Sequence, residues 1–317
     1  MKVLIIYYSQ TGNTQKVARA IRDGMREEGH EVTLKHLKFA AFSELEDYDM
    51  VGFGSPIWYE APPNMRKFME DMPRQNGKMA FSFCTHGTLP ALYFPLVIPR
   101  LQEKGLAVLG WKGWYSNCTI QVFPEPYYTA GHPDEVDLAD AKSFAREICE
   151  KARAYLAGDD SVLPPAPMPN MSPMHANVAI MHLGGTHNVH GALVRDPEKC
   201  LYPKCHICMD NCPRGFIDLK EGKYGSEGDV CDDCHGCTYC ELLCPSGAIR
   251  PKTPYEELAP VGEDHGSELF IQTLTQAEQD GNFRRLLPFE EVGIRTPYYS
   301  VHDRHPRIHA LRFEDDQ

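Results

Sequence analysis

The sequence lacks any apolar run approaching the length of a membrane span, so no transmembrane helix is expected. Runs of Lys and Arg are missing too: 32 basic residues face 44 acidic ones, a formal charge of −12. Nucleic acid and anionic membrane both demand clustered cations, so neither is expected as the main partner. The opening MKVLIIYYSQTGNT has only a short apolar stretch and no small-residue cleavage site, so it reads as a first β-strand rather than a signal peptide. A cytoplasmic location is the expectation. No internal repeat appears outside the cysteine motifs. No constellation of acid, base and nucleophile stands out, and no catalytic residue is assigned.

What is present is a chain of 317 residues, 42% hydrophobic, long enough for two domains with proper cores. Of its 12 cysteines, Cys84, Cys118 and Cys149 are scattered. The other nine (Cys200, Cys205, Cys208, Cys212, Cys231, Cys234, Cys237, Cys240, Cys244) crowd into 200–244. An odd local count without a signal peptide disfavours a disulfide scaffold and favours metal.

Residues 1–157 alternate strand and helix patterns. KVLIIYY (2–8) is a continuous apolar run, as expected of a strand buried on both faces. NTQKVARAIRDGMREEG (13–29) follows with Val17, Ile21 and Met25 at helical spacing. Strand patterns recur at 31–37, 50–55, 78–84 and 106–116, with helical patterns at 64–72, 90–105 and 134–158. Pro95 and Pro99 predict that the 90–105 helix is kinked or broken. Such alternation means a parallel sheet with helices on both faces. At 158 the composition turns Pro-rich, and 158–195 reads as a linker. The cysteine region spans 196–251. The extension 252–317 carries one helical pattern, at 267–281.

The loop after the first strand, SQTGNT (9–14), leads directly into a helix. It is neither G-x-x-x-x-G-K-[ST] nor G-x-G-x-x-G, so neither a nucleotide triphosphate nor a dinucleotide pyrophosphate is indicated. Small hydroxyl side chains and backbone N–H groups at a helix start suit a single phosphate. Ser9, Thr11, Gly12 and Thr14, with Asn13 between, match the [ST]-x-T-G-x-T loop, and residues 1–157 resemble the flavodoxins. That resemblance implies a doubly wound parallel sheet of order 2-1-3-4-5 with FMN at the carboxyl ends of its strands. It implies that Pro56, Ile57, Trp58 and Tyr59 flank the flavin ring on one side, with at least one of Trp58 and Tyr59 stacking on it and Trp58 the better candidate, and Thr85, His86 and Gly87 on the other. His86 would either hydrogen-bond the ring or face solvent.

Cys234, Cys237, Cys240 and Cys244-Pro245 fit the C-x2-C-x2-C-x3-C-P run of bacterial-type ferredoxins without deviation. Cys200, Cys205, Cys208 and Cys212-Pro213 fit it except that four residues, not two, separate the first pair. Where the run occurs twice, the fourth cysteine of each ligates the other cluster. One [4Fe–4S] cluster is therefore assigned to Cys200, Cys205, Cys208 and Cys244, and the other to Cys234, Cys237, Cys240 and Cys212. Cys231 is either a spare thiol or a substitute for Cys200. FIDL (216–219) and SGAIRP (246–251) resemble the short strands that close a bicluster ferredoxin. His175, His182, His187 and His190, and the tail's His302, His305 and His309, match no zinc spacing and are expected to have ordinary polar or packing roles. Cys84 ends a strand near the expected flavin; a small buried hydrophobe is the expectation, with a reactive thiol as the alternative.

Together the two halves resemble fused flavodoxin–bicluster ferredoxin proteins of anaerobes. The implied fold is a flavodoxin-like α/β sheet plus a small α+β ferredoxin domain. The implied cofactors are FMN and two [4Fe–4S] clusters. The implied role is electron relay between a low-potential donor and an acceptor enzyme. A reductase acting on NAD(P)H or a small organic substrate is the alternative, and a subunit of a larger redox complex is another. The sequence leaves open whether the chain forms a homodimer.

Overall fold

The computed structural model describes residues 1–58, 60–118, 126–168, 193–222, 237–251, 267–293, 313 and 316. These fall into two compact units. The first comprises 1–117, 131–168, 313 and 316, and the second takes the remainder.

The first unit is a five-stranded sheet of order β2-β1-β3-β4-β5. Its strands are β1 (Lys2–Tyr7), β2 (Glu31–His36), β3 (Met50–Pro56), β4 (Met79–His86) and β5 (Ala107–Tyr115). All four pairings are parallel, with Ile5 between Leu34 and Gly52 in register. The connections are α1 (Asn13–Glu27), α2 (Pro63–Asp71) and α3 (Tyr93–Glu103), and α4 (Glu135–Leu156) follows β5.

β1 shows why its apolar run is unbroken. Val3, Ile5 and Tyr7 enter one core with α1 and α4, while Leu4, Ile6 and Tyr8 enter the opposite core with α2 and α3. Successive side chains of a strand point to opposite faces, so a strand covered on both sides must be apolar throughout. Burying each of these aliphatic side chains contributes roughly 1.5–3 kcal/mol. On β3, Gly52 and Gly54 are required by close approach. A Cβ there would lie 2.2 Å from the Phe81 ring and 2.0 Å from the Phe83 ring.

The 90–105 segment differs from expectation. α3 begins at Tyr93, so Pro95 lies in its first turn, where a missing N–H is tolerated, and the helix continues through Pro99. Val97, Ile98 and Leu101 are fully buried, and their packing outweighs the hydrogen bond lost at Pro99.

α4 starts with a capping box: the Asp134 carboxylate accepts from the Val136 and Asp137 N–H groups, and Asp137 accepts from the Asp134 N–H. Asp134→Ala is expected to destabilise this unit by about 1 kcal/mol. Thermal unfolding should register a drop of about 2–4 °C in Tm; no drop would mean that the cap is dispensable.

The stretch expected to be linker starts and ends in structure. Val162 and Leu163 pack against the first unit's core. At the other end β6 (Leu193–Arg195) pairs antiparallel with β7 (Ile249–Pro251) in the second unit. SGAIRP thus supplies a strand, but its partner precedes the cysteines. FIDL forms no strand with it; instead Ile217 and Leu219 pack with Leu193 and Ile249 in a small core. Among the described residues of the cysteine region there are also two short helices, α5 (Ile207–Asn211) and α6 (Tyr239–Leu243).

α7 (Ser267–Gln279) matches the helical pattern of the extension. Within the connection between β5 and α4, expected to be part of the first domain, residues 126–130 group with the second unit. Within that unit Tyr128 contacts Phe270 of α7 and Phe289, and the Gly293 N–H donates to the Pro126 carbonyl.

In the first unit, the sequence reading assigned no role to the chain end. Asp316 is buried there, accepting from Tyr7 Oη at 2.5 Å and from Arg19 Nε at 2.8 Å. Phe313 packs against His36 and Phe39. Burial pushes the His36 imidazole down to about 4, so that ring is neutral.

Candidate functional site

Four loops converge at the carboxyl ends of the first unit's strands. α1 begins at Gly12, whose φ of 97° is left-handed and suits glycine, and no side chain caps the helix. The N-cap position thus supplies no side-chain acceptor to the first-turn N–H groups. Ser9 is buried, and its Oγ accepts from the Gly12 N–H at 3.1 Å, which leaves the hydroxyl hydrogen to donate elsewhere. Thr11, Gly12 and Asn13 are half-buried. Thr14 is buried and hydrogen-bonded to Thr85 Oγ1 at 2.7 Å, which ties α1 to the end of β4. Asn13 Nδ2 donates to the Asn117 carbonyl just after β5.

The loop after β3 is tied to the same place. The Ile57 N–H donates to the Thr85 carbonyl at 3.1 Å, and Trp58 pairs with Glu60 as an isolated bridge. Pro56, Ile57 and Trp58 are half-buried, and the Trp58 ring meets Tyr8 edge to face at 6.3 Å. Tyr59 lies outside the described residues. The structure thus brings together Ser9–Thr14, Pro56–Trp58 and Thr85–Gly87.

His86 does not face solvent. It is buried, with its ring edge-to-face on Tyr115 at 4.6 Å, and burial pushes it down to about 3. Its Nδ1 finds no partner among the described residues. The same holds for Gln10 Nε2 and Asn117 Oδ1, in the loops after β1 and β5. Buried polar atoms rarely stay unpaired, so three at one end of the sheet fit a polar ligand seated there. Asn117 had no motif to announce it; only its place at the end of β5 marks it. Cys84 is fully buried, and burial raises its thiol well above the ordinary range, so it is inert as expected.

In the second unit one pocket is lined by Cys200, Cys205, Cys208 and Cys244, together with Arg195 and apolar residues such as Ile207 and Ile249. Burial raises the Cys208 thiol to about 11, and the neighbouring Cys200, Cys244 and Cys205 thiols add to the rise. The extra residues of the first run fold into a turn over 202–204, where Leu201 accepts from the Lys204 and Cys205 N–H groups. Cys200 therefore still reaches the pocket. Cys244 accepts from the Ala248 N–H at 3.3 Å. No three of these sulfurs lie within 4.8 Å of one another, too wide for one tetrahedral ion. The four-cysteine lining therefore fits a multi-iron cluster better than a single metal ion. Cys212, Cys237 and Cys240 are half-buried and free of disulfides. Cys231, Cys234, and the histidines 175, 182, 187, 190, 302, 305 and 309 lie outside the described residues.

The flavodoxin family model matches residues 5–118. An uncharacterized protein of Methanocaldococcus jannaschii is 30% identical over 155 residues, covering 47% of this chain and 98% of that protein. The chain belongs to the flavodoxin family through its N-terminal half. Another relative of the flavodoxin half, a protein of Archaeoglobus fulgidus named NAD(P)H dehydrogenase (quinone), is 29% identical, covering 48% of this chain and 97% of that one. A solved flavodoxin from the domain Archaea is 23% identical, with 48% of this chain and 99% of that one aligned at a TM-score of 0.39. Membership supports FMN as the group bound by the flavodoxin half, and a redox role for it. Among the described residues no helix is long and apolar enough to cross a membrane.

Proposed function

We propose that this protein relays electrons between a low-potential donor and an acceptor enzyme. In this reading 1–157 is an FMN domain, 158–195 is largely linker, 196–251 with β6 holds two [4Fe–4S] clusters, and 252–317 is an extension. The observation that supports it most is the thiol pocket. Cys244 of the second cysteine run shares that pocket with three cysteines of the first, as the exchange of fourth ligands in a two-cluster protein requires. Cys212 then completes the other set, with Cys234, Cys237 and Cys240.

When bound, FMN supplies both one- and two-electron chemistry, and the clusters supply one-electron transfer. The chain's own groups have defined tasks. Ser9 and Thr14 hydroxyls and the uncapped N–H groups of α1 hold the phosphate without a lysine. Trp58 covers one side of the ring. His86, neutral at physiological pH, offers Nδ1 as a hydrogen-bonding atom rather than as a charge. The excess of acidic residues suits docking to basic patches on partner proteins.

A second reading is favoured by the relative named NAD(P)H dehydrogenase (quinone): a flavin reductase that takes hydride from NAD(P)H. Anaerobic addition of NADPH and then NADH to the holo-protein separates the two. The relay predicts no loss of flavin absorbance with either, and bleaching once dithionite or a low-potential ferredoxin is added. Prompt bleaching by a nicotinamide would put the reductase in its place.

A further inference from the structure

Arg195 has no role in the reading above. It ends β6, where its backbone is held in register with Ile249 of β7, and its side chain lines the same pocket as Cys200, Cys205, Cys208 and Cys244. Its Nε is buried without a hydrogen-bond partner, and the guanidinium has no ion pair among the described residues. Two other arginines pair their guanidinium directly with a carboxylate. Arg22 Nε lies 2.8 Å from Asp23, and Arg285 Nη2 lies 2.5 Å from Glu278. The adjacent carboxylate, Asp196, is engaged elsewhere: it accepts from the Glu198 N–H and sits 3.6 Å from Lys199 Nζ.

Removing part of a guanidinium from water without giving it an anion is costly. The apolar and thiol lining of the pocket supplies no anion while the thiols are protonated. As iron-bound thiolates, the same four sulfurs make the pocket's contents net negative. Taking up an electron adds one further negative charge, and a nearby cation stabilises that reduced state more than the oxidised one.

We propose that Arg195 is the charge partner of the cluster held by Cys200, Cys205, Cys208 and Cys244 and raises that cluster's reduction potential above what the thiolates alone would set. This rests on the two-cluster reading. It makes that cluster easier to reduce than its four thiolates alone would.

The test is an anaerobic dithionite titration of reconstituted full-length protein, followed by electron paramagnetic resonance, with iron counted in every sample. Arg195→Gln is expected to keep its iron but lower one cluster's potential. At the poise that half-reduces that cluster in the wild type, its reduced-to-oxidised ratio should fall about tenfold, equivalent to ~59 mV for a one-electron couple. Arg195→Lys should recover most of the shift, and Lys199→Gln, a change at an exposed cation, should leave both potentials in place. Full iron with unchanged potentials in Arg195→Gln overturns the proposal. Should the Gln variant lose iron, Arg195→Lys decides. Full iron at the wild-type potential supports the charge pairing, whereas iron loss there too, or a potential as low as that of an Arg195→Met variant, overturns it. Wild-type protein that takes up no iron defeats the cluster reading itself, which is a separate and visible failure.

Discussion

Replacing Cys244 by Ala is expected to halve the iron of reconstituted protein, from roughly eight atoms to about four. By sequence Cys244 closes the second run; in the fold it lines the pocket of the first. Paired substitutions make the result decisive. Cys205→Ala with Cys244→Ala removes two ligands from one cluster, so about four irons should remain. Cys212→Ala with Cys244→Ala removes one ligand from each cluster, so both should be lost. If each run held its own cluster, Cys205→Ala with Cys244→Ala would instead remove one ligand from each and abolish both, while Cys212→Ala with Cys244→Ala would abolish both under either scheme. Survival of one cluster in the first pair is thus the diagnostic result. Zinc in place of iron in metal analysis would reject the assignment altogether.

The flavin site carries the second large effect. Ser9→Ala removes a buried hydroxyl that both accepts from the Gly12 N–H and keeps a hydrogen for a phosphate oxygen. A hydrogen bond to a charged group is worth about 1.5–3 kcal/mol, so the Kd for FMN should rise roughly 10- to 150-fold. Thr14→Val should weaken binding in the same direction, because it also breaks the bond to Thr85 that holds α1 to β4. Fluorescence titration of apo-protein with FMN and with riboflavin checks both. The loss should be confined to FMN, since riboflavin lacks the phosphate. Equal loss for the two ligands would place the phosphate elsewhere.

Much of the first unit could be read along the chain. Its strands are apolar throughout because both faces are covered, and its helices carry a period that names their buried side, so Val17, Ile21 and Met25 were identifiable as core. The phosphate loop is legible for a related reason: residues 9–14 are contiguous, and their chemistry depends on a local turn entering a helix. The site beyond that loop is less so. Asn117 and the Thr14–Thr85 bond join segments about seventy to one hundred residues apart, and nothing local in either segment reports the other. His86 was undecided for the same reason: its burial comes from Tyr115 on the neighbouring strand.

The alternation that makes a parallel α/β sheet, the order of its loops, and two cysteine runs with their proline ends are all legible along the chain. These are properties of spacing, and spacing is conserved whatever the chain packs against. Tertiary structure alone decided that β6 pairs with β7 across the whole cysteine region, and that Asp316 buries its carboxylate beside Tyr7 and Arg19. It also decided that Arg195 Nε is buried without a partner among the described residues, beside a cysteine-lined pocket, because burial and pairing of a charge depend on every element around it.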